Sequence, residues 1–316
     1  GRRPMTPEDL CFMPASELAP LFRGKKLSPV ELCEAVLARI ERLEPQLNAF
    51  VVWDGDAAMD QARAAEQALT SGQNVGPLTG MPVTIKDLAV TADLPTQRGS
   101  MTMKGEVFGA DTPFVTRLRE AGAVVLGKTT TSEFGWKGVS HAPLTGITHN
   151  PWKKGFNAGA SSAGAGVAAA AGYGPLHQGS DGAGSIRMPS HFCGIFGIKP
   201  SFGRVPSWPV GNSDQVSHNG PMTRSVMDSA LMLKTMAGPH HLDHYSLESP
   251  PEDYPGLLKK DLGGLRVAYS PDLGHARIDP EVADLVAAGV TVFEDMGCHV
   301  EQIGGDQLAF VRDGLE

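Results

Sequence analysis

Apolar and polar positions in the first part of the chain follow the period of an amphipathic helix. The clearest case begins at Ser28, where Pro29 suits the first helical position and Glu31 completes a capping box. Apolar residues then recur on one face as far as Leu43. We expect this helix to end near Pro45.

Short apolar runs between turn-rich segments predict strands that alternate with further helices. The predicted strands are Val83–Asp87, Ala123–Leu126, Leu265–Tyr269 and His299–Ile303. The other predicted helices are Pro14–Phe22, Ala57–Leu69, Thr112–Ala121, Thr223–Ala237 and Pro280–Met296. This alternation favours an α/β architecture.

A tract rich in Gly, Ala and Ser runs from Gly155 to Pro200 and carries Ser161, Ser162 and Ser185. Small residues let backbone approach backbone or ligand closely, and glycine adopts positive φ without steric cost. A flexible linker is the alternative. A linker, however, would lack the large apolar side chains that this tract also contains, at Ile186, Phe192, Ile195, Phe196 and Ile198. We therefore predict a tightly folded active-site floor.

Composition and charge exclude several classes of function. The formal net charge of -8 gives no electrostatic support for nucleic-acid binding. No apolar run approaches the ~18 residues of a transmembrane helix, and Gly1 opens no signal-peptide pattern. The cysteines are scattered without CxxC spacing, which is typical of reduced thiols in a cytoplasmic protein.

Two further patterns suggest ligands, and the sequence argues against both. The segment GAVVLGKT at 122–129 matches a phosphate-binding loop. Its variable residues, however, form a β-branched run that favours a strand, and a helix precedes Gly122 where a strand would be needed. The loop with His240, His241 and His244 could hold a metal, but no carboxylate or cysteine fixes a geometry. A solvated loop is the favoured interpretation.

A serine hydroxyl needs a base to become a nucleophile. The GxSxG elbow is absent, His191 follows Ser185 on the same predicted helix, and His177 lies in an apolar strand. Lys86 could serve if it is buried, because burial lowers the pKa of a lysine. A surface lysine is the alternative. Ser161 could then relay a proton between Lys86 and Ser185, since a hydroxyl both donates and accepts.

An oxyanion hole is predicted directly before Ser185. Gly182, Ala183 and Gly184 permit a tight turn whose N–H groups converge on one point. Such donors stabilise a tetrahedral oxyanion by roughly 3 kcal/mol each. Asp181 and Arg187 bracket this turn, and we expect them to hold its geometry.

Several motifs in this order resemble the amidase signature family. They are GMPVTIKD at 80–87, GAVVLGKT at 122–129, GASS at 159–162, DGAGSIR at 181–187, FCG at 192–194, GIKP at 197–200 and GPM at 220–222. The resemblance covers about residues 10–305. It implies an α/β fold with a mixed central β-sheet covered by helices on both faces.

The resemblance also implies a role for each matching residue. Ser185 would be the nucleophile that forms an acyl-enzyme, Ser161 a bridging serine after a cis peptide bond, and Lys86 the base. The oxyanion hole would be lined by the N–H groups of Gly182, Ala183, Gly184 and Ser185. The supporting residues would be Ser162, Asp181 and Arg187. Neither a metal nor an organic cofactor is implied.

The chain departs from the family pattern at three points. Ala160 replaces the usual glycine before the bridging serine, and Ala183 replaces a glycine of the oxyanion turn. Family members also continue well beyond residue 316, so we expect the C-terminal part of the fold to be missing. The expected organisation is a single domain, with an N-terminal helical segment over residues 1–70 and the amidase-signature core over residues 71–316.

The predicted activity is hydrolysis of a linear carboxamide, or of a related anilide, ester or carbamate. The alternatives are a glutaminase (A) subunit of a tRNA-dependent amidotransferase and a non-catalytic binding module. The expected partner is a small-molecule substrate, without direct nucleic-acid or membrane binding, and a homodimer stays open. The substrate pocket is expected to draw on Met101–Phe108, Phe134–His141 and Trp208–Gln215, with aromatic walls from Phe134, Trp136 and Trp208.

Overall fold

The structure, a computed structural model, describes residues 5–73, 75–211 and 216–308. The chain divides into two compact units, residues 1–255 and 256–316. The predicted division at residue 70 does not coincide with this one. Within the described residues, no helix combines the length and the apolar character that crossing a bilayer would require.

The helices and strands alternate along most of the chain. The α-helices are α1 (Pro7–Phe12), α2 (Ala15–Arg23), α3 (Pro29–Leu47), α4 (Gly55–Thr70), α5 (Pro113–Glu120), α6 (Ala163–Ala171), α7 (Arg187–Cys193), α8 (Val226–Met236), α9 (Tyr254–Leu257) and α10 (Pro280–Asp295). The strands are β1 (Phe50–Trp53), β2 (Pro82–Lys86), β3 (Val124–Thr129), β4 (His141–Ala142), β5 (Gly146–Ile147), β6 (Leu176–Asp181), β7 (Phe196–Gly197), β8 (His218–Thr223), β9 (Arg266–Tyr269) and β10 (His299–Gln302).

A six-stranded mixed sheet forms the centre of the first unit, in the order β1-β3-β2-β6-β8-β7. Strands β3, β2 and β6 are parallel, whereas β1, β8 and β7 join as antiparallel neighbours. Parallel strands bring their carboxyl ends to one edge of a sheet. The ends of β2 and β6, which carry Lys86 and Asp181, are therefore neighbours.

The central strands are covered on both faces. Every residue of β2 and of β3 is buried. Successive side chains of a strand point to opposite faces, so full burial requires packing on each side. Helix α4 packs on β3, α6 on β2, β3, β6 and β8, and α8 on β6, β7 and β8. The α/β fold with a mixed central sheet is confirmed.

Helix α6 explains why the small-residue tract is structural and not a linker. Its sequence AGAGVAAAA is buried almost throughout. A Cβ added at Gly164 would overlap the carbonyl oxygen of Ala49 and the backbone nitrogen of Thr130. The helix therefore runs against the backbone of the sheet, which only glycine permits at this contact. This packing places Ser161 and Ser162, just before α6, next to the central strands.

The first unit differs from the sequence-based expectation at two places. Helix α3 begins at the predicted capping box but continues through Pro45 to Leu47, and ends where Asn48 adopts a left-handed conformation with φ 54°. Strand β1 was not predicted, although it pairs antiparallel with β3. Its four residues follow α3 too closely to show an alternating pattern. The segment over residues 1–70 is therefore not wholly helical.

The second unit contains a βαβ arrangement within residues 256–308. Strands β9 and β10 pair in parallel, and α10 lies between them in the sequence. A parallel pair requires such a crossover connection. The predicted strands and helix in this region agree with the observed elements to within one residue.

Glu44, near the end of α3, makes stability depend on pH. Its Oε1 accepts the Phe50 N–H over 2.6 Å, whereas its Oε2 is buried without a hydrogen-bond partner. Burial raises the pKa of Glu44 from 4.5 to about 7, against the opposing effect of the Phe50 and Ala49 N–H groups. Between these two values the folded state holds a proton that the unfolded chain releases, so stability falls as pH rises.

We expect Glu44→Gln to remove this dependence. The free energy of unfolding, measured in urea from pH 4.5 to 8, should fall with pH less steeply in the variant. The difference between wild type and variant should change by about 2 kcal/mol over this window. The exposed Glu41, on the same helix, provides the control Glu41→Gln. Parallel pH curves for wild type and Glu44→Gln would contradict the assignment.

Candidate active site

Lys86 is the last residue of β2, and its side chain is fully buried. Its Nζ donates to Ser161 Oγ over 2.6 Å and to Ser180 Oγ over 2.9 Å. Its backbone N–H donates to the side-chain oxygen of Gln178 over 3.0 Å. The alternative of a surface lysine is therefore wrong, because the side chain is fully buried among these partners.

The surroundings of Lys86 favour the neutral amine. Burial lowers its pKa from 10.5 to about 7, and the negative charge of Asp181 opposes that shift. A lysine with this pKa has a large neutral fraction near pH 7 and can accept a proton. Burial therefore makes Lys86 a candidate base.

Ser161 lies between β2 and the start of α6 and is 2% exposed. The peptide bond between Ala160 and Ser161 is cis, as the resemblance implied. Gly135, which has φ 77°, lies close to this serine: a Cβ added at Gly135 would lie 3.4 Å from Ser161 Oγ. The Ser161 hydroxyl is thus enclosed between the buried amine of Lys86 and the turn at Gly135.

Ser185 lies in the turn between β6 and α7 and is partly exposed. Its carbonyl oxygen accepts the N–H of Ser162 over 3.3 Å, which brings the turn next to Ser161. Ser162 Oγ in addition donates to the Ser180 carbonyl over 3.0 Å. The Ser185 hydroxyl makes no hydrogen bond to any residue that the structure describes. The structure therefore joins Lys86 to Ser161 directly but leaves Ser185 Oγ unbonded.

Asp181, at the end of β6, organises the turn that carries Ser185. Its carboxylate is fully buried and accepts N–H groups from Gly184 at 2.7 Å, Ile186 at 3.1 Å and Arg187 at 3.3 Å. The Arg187 guanidinium adds two hydrogen bonds of 2.9 Å. Burial works against ionisation, but the Arg187 guanidinium and these N–H groups hold the pKa of Asp181 well below its usual range.

The oxyanion turn differs from its prediction at one position. The Gly184 N–H donates to Asp181, so the structure does not offer it to an oxyanion. The N–H groups of Gly182, Ala183 and Ser185 have no hydrogen-bond partner among residues 5–73, 75–211 and 216–308. Gly182 and Ala183 are exposed. Three of the four predicted donors therefore remain available, and Gly184 shapes the turn with φ 119°.

We expect Asp181→Asn to destabilise the protein by about 3 kcal/mol, because it leaves several buried N–H donors and Arg187 without their anionic acceptor. Urea unfolding at pH 7 measures this loss. The exposed pair of Asp60 and Arg63, 2.8 Å apart, gives the matched control Asp60→Asn. That control should change stability by less than about 0.5 kcal/mol. Equal effects of the two substitutions would contradict the role of Asp181.

The sequence analysis missed two polar residues of the site. Ser180 provides a second hydroxyl for Lys86, and Gln178 fixes the backbone of Lys86. Both lie on β6, which pairs with β2 in parallel. The signal in the sequence was the pair of polar residues Gln178 and Ser180 at alternate positions of β6, directly before Asp181.

A second buried lysine explains the apparent phosphate-loop motif. Lys128 lies in β3, is fully buried and forms an ion pair with Asp87 at 3.6 Å. Its Nζ also donates to Thr96 Oγ1 over 2.7 Å. Burial lowers the pKa of Lys128, and the charge of Asp87 opposes that shift. Residues 124–129 of the motif form strand β3, as predicted for this run. The Lys128 side chain is held in the core by Asp87 and Thr96.

His177 is excluded as a base by its own contacts. It is fully buried, with Nε2 at 3.1 Å from the Gly174 carbonyl and Nδ1 at 2.9 Å from Thr84 Oγ1. Burial lowers its pKa to about 3. Nε2 therefore carries the hydrogen that the carbonyl accepts, and Nδ1 accepts from the threonine. Within the described residues no group of histidine, cysteine or carboxylate side chains forms a metal site.

A cavity of about 380 Å³ opens beside Lys86. The expected aromatic residues Phe134, Trp136 and Trp208 line it, together with Ser180. Neither catalytic-candidate serine, Ser161 or Ser185, is part of this lining, and neither is any residue of 101–108. Of the expected wall over residues 208–215, positions 212–215 lie outside the described residues. The cavity is thus next to the predicted base and polar on that side.

The comparisons with known proteins show the family. A family model described as "Amidase" matches residues 31–313. An acylamidase of Rhodococcus erythropolis is 42% identical over 299 residues, which cover 94% of this chain and 63% of that protein. The A subunit of the glutamyl-tRNA(Gln) amidotransferase of Methylococcus capsulatus is 39% identical over 289 residues, covering 91% of this chain and 59% of that protein.

Solved structures of similar fold indicate the same family. A bacterial aryl acylamidase of the amidase signature family superposes with a TM-score of 0.87 at 31% identity, covering 93% of this chain and 61% of that one. A 6-aminohexanoate cyclic dimer hydrolase has a TM-score of 0.85 at 32% identity, with the same coverage of 93% and 61%. The chain spans about 60% of the length of these relatives. The chain belongs to the amidase signature family.

Proposed function

We propose that this protein is an amidohydrolase that cleaves a linear carboxamide through an acyl-enzyme on Ser185. The observation that carries the proposal is the buried contact of 2.6 Å between Lys86 Nζ and Ser161 Oγ. Burial lowers the pKa of Lys86 to about 7, so a neutral amine next to a hydroxyl is available as a base. The N–H···O hydrogen bond between Ser162 and Ser185 keeps the nucleophile close to that pair.

The first half of the reaction uses Ser161 as a proton relay. Ser185 Oγ gives its proton to Ser161 as it attacks the amide carbon, and Ser161 gives its own proton to Lys86. The oxyanion accepts hydrogen bonds from the N–H groups of Gly182, Ala183 and Ser185. The C–N bond then breaks, and the leaving nitrogen takes a proton returned from Lys86 through Ser161.

Water completes the cycle by hydrolysing the ester on Ser185. Lys86 accepts a proton from the attacking water through Ser161, and the acid leaves as the proton returns to Ser185 Oγ. The relay requires the Ser185 hydroxyl to approach Ser161, and rotation of that unbonded side chain provides this. Ser180 holds the Lys86 amine towards Ser161 throughout.

Anilides and related acyl amides are the favoured substrates. The similarity to an acylamidase and to an aryl acylamidase structure supports this class. Phe134, Trp136 and Trp208 in the cavity wall suit an aromatic group. An ester or carbamate would react by the same steps, since each carries an acyl carbon and a leaving heteroatom.

A glutaminase subunit of a tRNA-dependent amidotransferase is the second candidate, because an A subunit of such an enzyme is 39% identical to this chain. The two functions differ in substrate and in the need for partner subunits. Purified protein is given 4-nitroacetanilide or glutamine, and the release of 4-nitroaniline or ammonia is measured. We expect release of 4-nitroaniline by the protein alone. Ammonia from glutamine without any anilide hydrolysis would favour the second candidate.

Covalent labelling tests the acyl-enzyme itself. The protein is treated with a fluorophosphonate at pH 8, digested and mapped by mass spectrometry. We expect the label on Ser185 and none in the Ser185→Ala variant. A label on Ser161 instead would reverse the roles of the two serines. No label on either, in folded protein, would refute the proposed nucleophile.

A further inference from the structure

Arg98 adopts an unusual backbone conformation next to the site, with φ 54°. Non-glycine residues rarely adopt this left-handed region, and such conformations cluster at functional sites. Asp87 fixes the backbone around Arg98 by accepting three N–H groups. The Asp87 carbonyl accepts the Arg98 N–H over 3.1 Å, and its carboxylate accepts the N–H groups of Gln97 and Gly99. The fold therefore fixes the direction in which the Arg98 side chain leaves the backbone.

The same backbone links Arg98 to the predicted proton relay. Asp87 directly follows Lys86, and the Arg98 carbonyl accepts the N–H of Phe134 over 2.8 Å. Phe134 precedes Gly135, the residue that lies above Ser161 Oγ. Arg98 thus belongs to the wall that encloses the Lys86–Ser161 pair, and its side chain lines the 380 Å³ cavity.

The Arg98 guanidinium has no polar partner among the residues that the structure describes. Its Nε is buried without a hydrogen bond. The guanidinium makes a cation–π contact with the Phe108 ring, whose centroid lies 5.5 Å from the guanidinium carbon. An arginine presents planar donors that match a carboxylate in a bidentate arrangement. Arg98 lines the cavity, and none of its guanidinium donors has a hydrogen-bond partner among the described residues.

The other charged groups of the cavity wall are already engaged. The Lys86 amine is bonded to Ser161 and Ser180. The carboxylate of Asp243, 7% exposed, accepts the N–H groups of Ser207 over 2.8 Å and Tyr245 over 2.9 Å. Among the described lining residues, Arg98 is therefore the charged side chain left for a ligand, and its guanidinium binds an anionic group most strongly.

We infer that Arg98 is a specificity-determining residue that binds a carboxylate on the substrate, so that the preferred substrates are amides that also carry a carboxylate. The inference rests on the proposed amidohydrolase function and specifies its substrate class. The carboxylate could belong to the acyl half or to the amine half of the amide. The chemistry of recognition is the same for both, and the choice of substrates separates them.

The test compares acidic and neutral anilides of similar size. Succinanilic acid and butyranilide differ by a carboxylate on the acyl half, whereas 4-acetamidobenzoate and acetanilide differ by one on the amine half. For each pair, the ratio of kcat/KM for the acid to that for the neutral amide is measured at pH 8. We expect the wild type to favour the acid in one pair and Arg98→Gln to lower that ratio about 30-fold, through KM. Arg98→Lys should give an intermediate ratio.

Lys137→Gln is the matched control, because it removes an exposed charge close to the same turn without touching the cavity wall. Its ratio should equal that of the wild type. Urea unfolding checks that both variants are folded. An unchanged ratio in folded Arg98→Gln, or an equal loss in Lys137→Gln, would overturn the inference.

A binding measurement separates this inference from the proposed function. If the wild type hydrolyses none of the four anilides, the proposed function fails by itself. Calorimetry with the same compounds then reports on Arg98 directly. Tighter binding of one acid than of its neutral partner, lost in Arg98→Gln, supports the carboxylate site. Equal binding of acid and neutral partner in both pairs refutes it.

Discussion

Substitution of Ser185 by alanine is expected to lower kcat for an anilide by about 10⁴- to 10⁶-fold, with KM little changed. The hydroxyl would form the covalent bond to the acyl group, and no other group of the turn can replace it. Turnover is followed as release of 4-nitroaniline, and rapid-mixing experiments report the burst of the first acyl-enzyme. The variant should show neither burst nor steady turnover.

Ser201, an exposed serine just beyond the signature motif at 197–200, gives the control Ser201→Ala. It should retain wild-type kcat. The assignment of Ser185 fails if its alanine variant keeps a burst, or if kcat falls less than about tenfold in folded protein. A comparable loss in Ser161→Ala is expected too, because the relay acts as a unit and its members are not additive.

Substitution of Lys86 by methionine is expected to lower kcat/KM by about 10³-fold, since the reaction loses its general base. Methionine preserves most of the buried apolar stem. In the wild type, kcat/KM should rise with pH through a value of about 7, where Lys86 loses its proton. That limb should be absent from the residual activity of Lys86→Met. A limb near the ordinary lysine pKa of about 10 would contradict the buried base.

The same substitution should stabilise the protein near neutral pH. Burial places the folded-state pKa of Lys86 at about 7, below the 10.5 of the unfolded chain. The resulting destabilisation is complete below pH 7 and is relieved as pH rises towards 10.5, because the unfolded chain then holds the extra proton. At pH 6 we expect Lys86→Met to be more stable by about 3 kcal/mol. Lys137→Met, at an exposed site, should show no such gain.

These opposite effects of one substitution distinguish a functional lysine from a structural one. Lys128 is equally buried but is paired with Asp87 at 3.6 Å and bonded to Thr96. Removal of its charge would leave the buried Asp87 carboxylate without its cationic partner, so it should destabilise the fold. Lys86 has no carboxylate partner within salt-bridge distance among the described residues, and its neighbours are hydroxyl groups.

Much of this protein could be predicted from local patterns in its sequence. The capping box at Ser28 placed the start of α3 correctly, because its contacts are confined to one helical turn. The β-branched run at 123–126 identified a strand and excluded a phosphate loop. The order and spacing of the signature motifs identified the family. Each of these features depends on residues close together along the chain.

Only the tertiary structure decided what the site residues can do. Strands and α6, distant in sequence, bury Lys86 and so lower its pKa to about 7, whereas the sequence alone left a surface lysine open. The folded turn engages the Gly184 N–H with the Asp181 carboxylate, and packing leaves Arg98 in the cavity wall without a polar partner among the described residues. Proton affinity and donor availability are properties of packed neighbours, which local sequence patterns do not contain.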